Sequence, residues 1–190
     1  MRYNISYEDS KTLKLEDFIK KIQEHTELFN SYFGNEWAYT GSCAVILYIL
    51  KYSSTDLIKI SPPNDIDILI QSRQPISNRR IGDYDTKIQS TLEKSVTYEN
   101  SINKNSIDIT SVPKLRPFII GDNPVLNLDI LLDYYQDDLT GYREKDIPKI
   151  EILMKIKKII NDSVSQATST NRAEDEERSN RFGGLSKSLF

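Results

Sequence analysis

Cysteine and histidine are too scarce in this sequence for several common chemistries. One cysteine in 190 residues excludes an intramolecular disulfide and fits a reducing compartment. The single histidine, His25, leaves no histidine cluster for zinc or for His-based catalysis. No stretch approaches the roughly 20 consecutive apolar residues that a membrane-spanning helix requires. Met1 to Ser10 carries Glu8 and Asp9 and lacks an apolar run, so no secretory signal is expected. The expectation is a cytoplasmic chain with no membrane partner. A net charge of -3 argues against a surface that is basic all round, while leaving room for a local basic face. There is no internal repeat.

Hydrophobic residues at 38% and charged residues at 28% suit one globular domain with its own core. Leu13 to Phe33 carries apolar residues at helical spacing and predicts an amphipathic helix ending at Gly34. Glu36 to Tyr39 predicts a short strand, and Ser42 is placed to cap a second helix reaching about Tyr52. Ser53 to Asn64, with Pro62-Pro63, reads as a loop. Asp65 to Ile70 alternates acidic or apolar residues on one face with isoleucines on the other, the pattern of a strand. Tyr84 to Lys94 leans towards helix, and Val96 to Asn100 with Ser106 to Thr110 read as two strands joined by a turn. Leu115 to Ile120 suggests a further strand. A helix to about Gln136 starts at Asn123-Pro124 or at Asn127, and a last helix begins near Asp146 with Pro148 in its first turn.

The chain thus divides into an N-terminal helical segment (1–34), a core (35–122), C-terminal helices (123–162) and a tail (163–190). The tail is rich in Ser, Thr, Asn, Arg and Glu and is expected to be disordered, or ordered only when docked on a partner. The fold expected is α+β.

Three carboxylates fall on the expected strands, Asp65 and Asp67 on one and Asp108 on another. Alternate strand residues project to the same side, so Asp65 and Asp67 can share a divalent ion, which a third carboxylate from a neighbouring strand would complete. Mg²⁺ suits such oxygen-rich sites. Two ions would activate an attacking hydroxyl and stabilise a departing pyrophosphate. Gly41 lets the backbone approach phosphate closely, and the helix after it offers free N–H groups and the positive end of its dipole. Ser42 adds a hydroxyl. The span from Ser42 to Asp65 holds one helix and one loop, and that from Asp67 to Asp108 an excursion before a later strand.

In order and spacing, Thr40-Gly41-Ser42, Asp65-Ile66-Asp67 and Asp108 resemble the pattern of the DNA polymerase β-type nucleotidyltransferase superfamily. Asn64-Asp65-Ile66-Asp67-Ile68 is similar to the catalytic strand of its minimal and abortive-infection (type IV toxin) branch. Leu131-Leu132 followed by Arg143-Glu144-Lys145-Asp146-Ile147 is similar to a later segment of that branch. The resemblance covers roughly residues 36 to 160. It implies a nucleotidyltransferase fold, a small mixed sheet flanked by helices with a helical C-terminal segment. It also implies Mg²⁺ or Mn²⁺, and transfer of a nucleoside monophosphate from an NTP to an acceptor hydroxyl on RNA, protein or a small molecule. Asp65, Asp67 and Asp108 would be catalytic and metal-binding. Thr40, Gly41, Ser42, Arg143 and Lys145 would bind the nucleotide. The chain departs from the branch at Tyr134-Tyr135, where a lysine is usual, and at Pro148-Lys149, where an acidic residue often recurs.

Other residues have plainer readings. His25 reads as a surface or half-buried helical residue, Cys43 as small packing, and Trp37 as core before a base-stacking platform. Arg79-Arg80 reads as a solvated loop before a phosphate contact. Arg143 and Lys145 suit a salt bridge at the helix start as well as they suit a triphosphate. Asp129, Asp133, Asp137 and Asp138 read as a solvated helix face, with Asp129 the rival to Asp108 as third carboxylate. The competing function is a non-catalytic protein that keeps this fold as an interaction or virion component. Retention of all three carboxylates weighs against it. An RNA-directed transferase would need a basic groove beside the site.

Overall fold

In a computed structural model, residues 7–53, 63, 65–74, 76–77, 79–90, 94–137 and 143–183 are described, with side chains from residue 16 to residue 165. Most of the loop expected at 53–64, together with Asp138 and residues 184–190 of the tail, lies outside the described residues.

The chain runs α1 (Tyr7–Phe33), β1 (Trp37–Tyr39), α2 (Gly41–Tyr52), β2 (Asp65–Gln71), β3 (Arg80–Ile81), β4 (Tyr84–Ser90), β5 (Ser95–Asn100), β6 (Ser106–Val112), β7 (Phe118–Ile120), β8 (Asn123–Val125), α3 (Leu128–Gln136), a 3₁₀ turn (Glu144–Asp146) and α4 (Ile147–Gly183). The α+β expectation holds at that level. The sheet is not small, however: it has eight strands in the order β3-β4-β5-β6-β2-β1-β8-β7. Parallel pairing occurs between β2 and β6 and between β1 and β8, and the other neighbours are antiparallel. β8 lies beside β1, so the sheet continues past residue 122 into the segment read as C-terminal helices.

One face of the central strands is dry. Ile66, Ile68 and Ile70 of β2, Ile107 and Ile109 of β6, and Val96 and Tyr98 of β5 are all buried, while the residues between them are half-buried. Period-2 alternation of this kind is what a sheet covered on one side and half-open on the other imposes. Along α1, Phe18, Ile22 and Phe29 are buried, with Phe29 edge-on to Trp37 and Tyr39. Trp37 is fully buried and donates Nε1–H to Asn30 at 2.9 Å, which fits core rather than a stacking platform. α2 is buried from Cys43 through Ile49 and is therefore packed on nearly all sides.

Several local expectations are corrected. Tyr84–Ser90 is a strand, not a helix, joined to β3 by the two-residue turn Gly82-Asp83, where Gly82 has φ +54°. A Gly-Asp pair between Ile81 and Tyr84 is a hairpin signal that outranks the weak helical pattern after it. Asn123-Pro124 lies in β8, and Asn127 is the true cap of α3, accepting from the Asp129 amide at 2.9 Å. Ser42 does not cap α2; that position belongs to Thr40. The helix α4 runs on to Gly183, through much of the segment expected to be disordered. Arg80 is engaged within its own hairpin, by Gly82 O at 2.8 Å and by Asp83 and Asp85 at 3.7 Å.

His25 is buried, not at the surface. Its Nδ1 lies 2.6 Å from the Lys21 carbonyl and its Nε2 lies 2.8 Å from the Tyr84 hydroxyl. Because a carbonyl only accepts, Nδ1–H donates; in the neutral ring Nε2 then accepts from the Tyr84 hydroxyl. Burial, the largest cause, pushes its pKa below the usual 6.5, against a smaller opposite pull from the Lys21 hydrogen bond and Glu24. A base whose folded pKa is depressed binds fewer protons folded than unfolded, so its contribution is complete above 6.5 and is lost as pH falls. The urea midpoint is therefore expected to drop between about pH 7.5 and about pH 5.5, and to drop less in His25→Gln. Equal slopes for the two proteins would show that His25 does not carry the effect.

Candidate functional site

The three aspartates meet at the sheet because of strand register. β2 and β6 are parallel neighbours with Asp67 directly beside Asp108, and Asp65 lies two residues before Asp67 on the same face. Carboxylate oxygens of all three come within 4.8 Å of one another, on the half-open side of the sheet. Asp129 is not part of the cluster. It is exposed on α3 and pairs with Lys157 of α4 at 2.6 Å.

β1 runs antiparallel to β2, so its C-terminal end delivers Thr40 and Gly41 to the same place. The Thr40 amide donates to the Asp67 carbonyl at 2.9 Å. Gly41 follows with φ +55°, and a Cβ there would sit 2.9 Å from the Asp67 Cγ. Glycine is thus required twice, by the left-handed backbone and by the carboxylate packed against it. The Thr40 side chain makes no cap hydrogen bond, which leaves the first turn of α2 open to another acceptor. Ser42 lies beside the buried Tyr135 of α3.

Three carboxylates this close repel one another. Burial, then Asp65, then Asp108 push the Asp67 pKa up from 3.8 to about 7, while Lys149 and Arg143 act in the opposite direction. Oδ1 of Asp108 is buried with no hydrogen-bond partner. A buried carboxylate oxygen without a donor is costly, and a hard cation is one group that would satisfy it. The donor set is all oxygen, which fits Mg²⁺ or Mn²⁺ rather than zinc or copper. Cys43 does not enter this chemistry: it is fully buried, and burial pushes its thiol pKa well above the ordinary value.

The two cations expected at the nucleotide differ in their surroundings. Arg143 Nε binds Asp146 Oδ2 at 2.6 Å, and its charge is felt at Asp67. Lys145 is exposed and makes no ion pair among the described residues. Asp146, Lys149 and Tyr135 are the neighbours of Arg143 and Ser42 that no motif in the sequence marks as parts of this site. Asp146 is almost wholly buried and takes both Arg143 and, at 2.9 Å on Oδ1, Lys149. Arg143, Asp146 and Lys149 recur every three residues across the start of α4, a spacing visible in the sequence.

Fold and site together define a mixed α+β protein with a three-aspartate cluster at a helix N-terminus. No known protein family matches the chain, and no curated protein does. Among the described residues no helix is long and apolar enough to cross a membrane.

Proposed function

We propose that this chain is a metal-dependent nucleotidyltransferase that moves a nucleoside monophosphate from an NTP to an acceptor hydroxyl. The reading is carried by one observation: Asp65, Asp67 and Asp108 converge within 4.8 Å. The buried, unpartnered Asp108 oxygen and the nearby α2 N-terminus add support.

Asp65, Asp67 and Asp108 would hold Mg²⁺ or Mn²⁺. When bound, the metal supplies Lewis-acid stabilisation of phosphate oxygens and lowers the pKa of a coordinated hydroxyl. Thr40, Gly41 and Ser42 would present the uncapped first turn of α2 to the phosphates, where N–H groups and the helix dipole favour negative charge. Asp108 would accept the proton of the attacking hydroxyl. The new bond joins the acceptor oxygen to the α-phosphorus, and the bond from that phosphorus to the bridging oxygen breaks. Pyrophosphate leaves with the electron pair.

The test is incubation with each labelled NTP, Mg²⁺ or Mn²⁺, total RNA and total protein. Label is expected on one acceptor class and is expected to vanish in the Asp65→Ala/Asp67→Ala double variant. Transfer that survives the double variant would refute the site. Absence of any heat on titrating Mn²⁺ with an NTP would leave the non-catalytic reading in its place.

A further inference from the structure

Lys149 is an unusual lysine. Its side chain is 16% exposed, although a lysine ammonium is rarely withdrawn from water without a specific partner. Its Nζ donates to Asp146 at 2.9 Å and lies 5.4 Å from the centre of the Tyr135 ring. The other face of that contact chain leads directly to the metal site. Tyr135 lies beside Ser42, Ser42 follows Gly41, and Gly41 packs against Asp67. Lys149 is held by Asp146 and Tyr135, and its charge is felt at Asp67 more than that of Arg143.

The charge count at Asp146 is uneven. One carboxylate serves two cations, Arg143 and Lys149, so the group carries a surplus positive charge. An ammonium has three donors, and only one is engaged by Asp146. Among the described residues the other two have no acceptor, on a compact point charge suited to phosphate oxygens.

We propose that Lys149, steadied by Asp146 and Tyr135, is the cation that binds the triphosphate in this site, and that Lys145 is not. The assignment rests on the nucleotidyltransferase reading. A purely structural brace between Lys149 and Asp146 would instead affect stability alone.

Calorimetric titration of the full chain separates these. The probes are Mn²⁺ alone, then ATP, GTP and inorganic tripolyphosphate at saturating Mn²⁺. Lys149→Ala is expected to weaken nucleotide and tripolyphosphate binding by about tenfold or more, the scale of one lost hydrogen bond to a charged group. Mn²⁺ binding should stay within about twofold of the parent. Lys149→Gln keeps a donor for Asp146 and cover for Tyr135, so it should fold normally and show the same loss. Lys145→Ala should bind like the parent. Parent-like nucleotide binding in Lys149→Gln would overturn the assignment while leaving the nucleotidyltransferase reading intact. A parent chain that binds Mn²⁺ but neither nucleotide nor tripolyphosphate would overturn both.

Discussion

Asp67→Asn is expected to make the metal-free protein more stable at neutral pH, by about 2–4 kcal/mol, while abolishing its response to divalent metal. The gain follows from charge crowding. A carboxyl whose pKa is raised from 3.8 to about 7 in the folded chain resists ionisation there. Each tenfold in proton affinity is about 1.4 kcal/mol, so the full displacement corresponds to ~4 kcal/mol. Contact with water on the open side of the sheet reduces what is recovered. The sign is opposite to that of His25. A folded pKa above the unfolded one means that the favourable contribution is complete below 3.8 and is lost as pH rises through about 7. Asparagine removes the charge at nearly constant shape, so its advantage should be small near pH 4 and largest above about pH 7. At roughly 2–4 °C per kcal/mol for a domain of this size, Tm should rise by roughly 5–15 °C. Added Mg²⁺ should close most of the gap, since ligand at a hundred times its Kd stabilises the parent by about 2.7 kcal/mol and the variant not at all. Identical melting of both proteins at pH 8 without metal would refute the crowding argument.

Asp65 and Asp67 were legible in the sequence because strand periodicity is strictly local: two residues apart on any strand means the same face. Asp108 was reachable through its own strand, although its register beside Asp67 depends on pairing across the whole excursion between them. Long-range contacts account for most of the remainder. β4 holds Tyr84 under His25, a partner 59 positions earlier, and no window of local sequence contains that information. β3 and β8 are two or three residues long, too short for any period to show, and β4 carries a weak helical pattern, so the sequence suggests a smaller sheet. Lys149 stayed hidden for a related reason. Its spacing from Arg143 and Asp146 is visible in the sequence, but its contact with Tyr135 on a different helix and its effect on Asp67 are not. Both departures from the resembled branch, Tyr135 and Lys149, thus lie against each other.

Gly41 is held to glycine by the protein's own carboxylate. A glycine before a helix suggests close approach of phosphate, yet the space a side chain would fill is taken by the chain's own Asp67 carboxylate. Gly41→Ala should therefore incur two separate costs. Left-handed backbone at a residue with a Cβ costs roughly 1–2 kcal/mol. The overlap with Asp67 adds more, or forces the carboxylate to swing away from Asp65 and Asp108. Gly34 isolates the first cost, because it has φ +59° and nothing within 4 Å of the added methyl. Gly34→Ala should lose about 1–2 kcal/mol in urea denaturation and retain Mn²⁺ binding. Gly41→Ala should weaken Mn²⁺ binding by about tenfold or more, a larger effect than its stability loss alone would produce. Equal Mn²⁺ affinity in the two alanine variants would mean that Asp67 tolerates the methyl group. In that case Gly41 would matter only for the turn that starts α2, and the close packing of glycine against carboxylate would have no part in shaping the metal site.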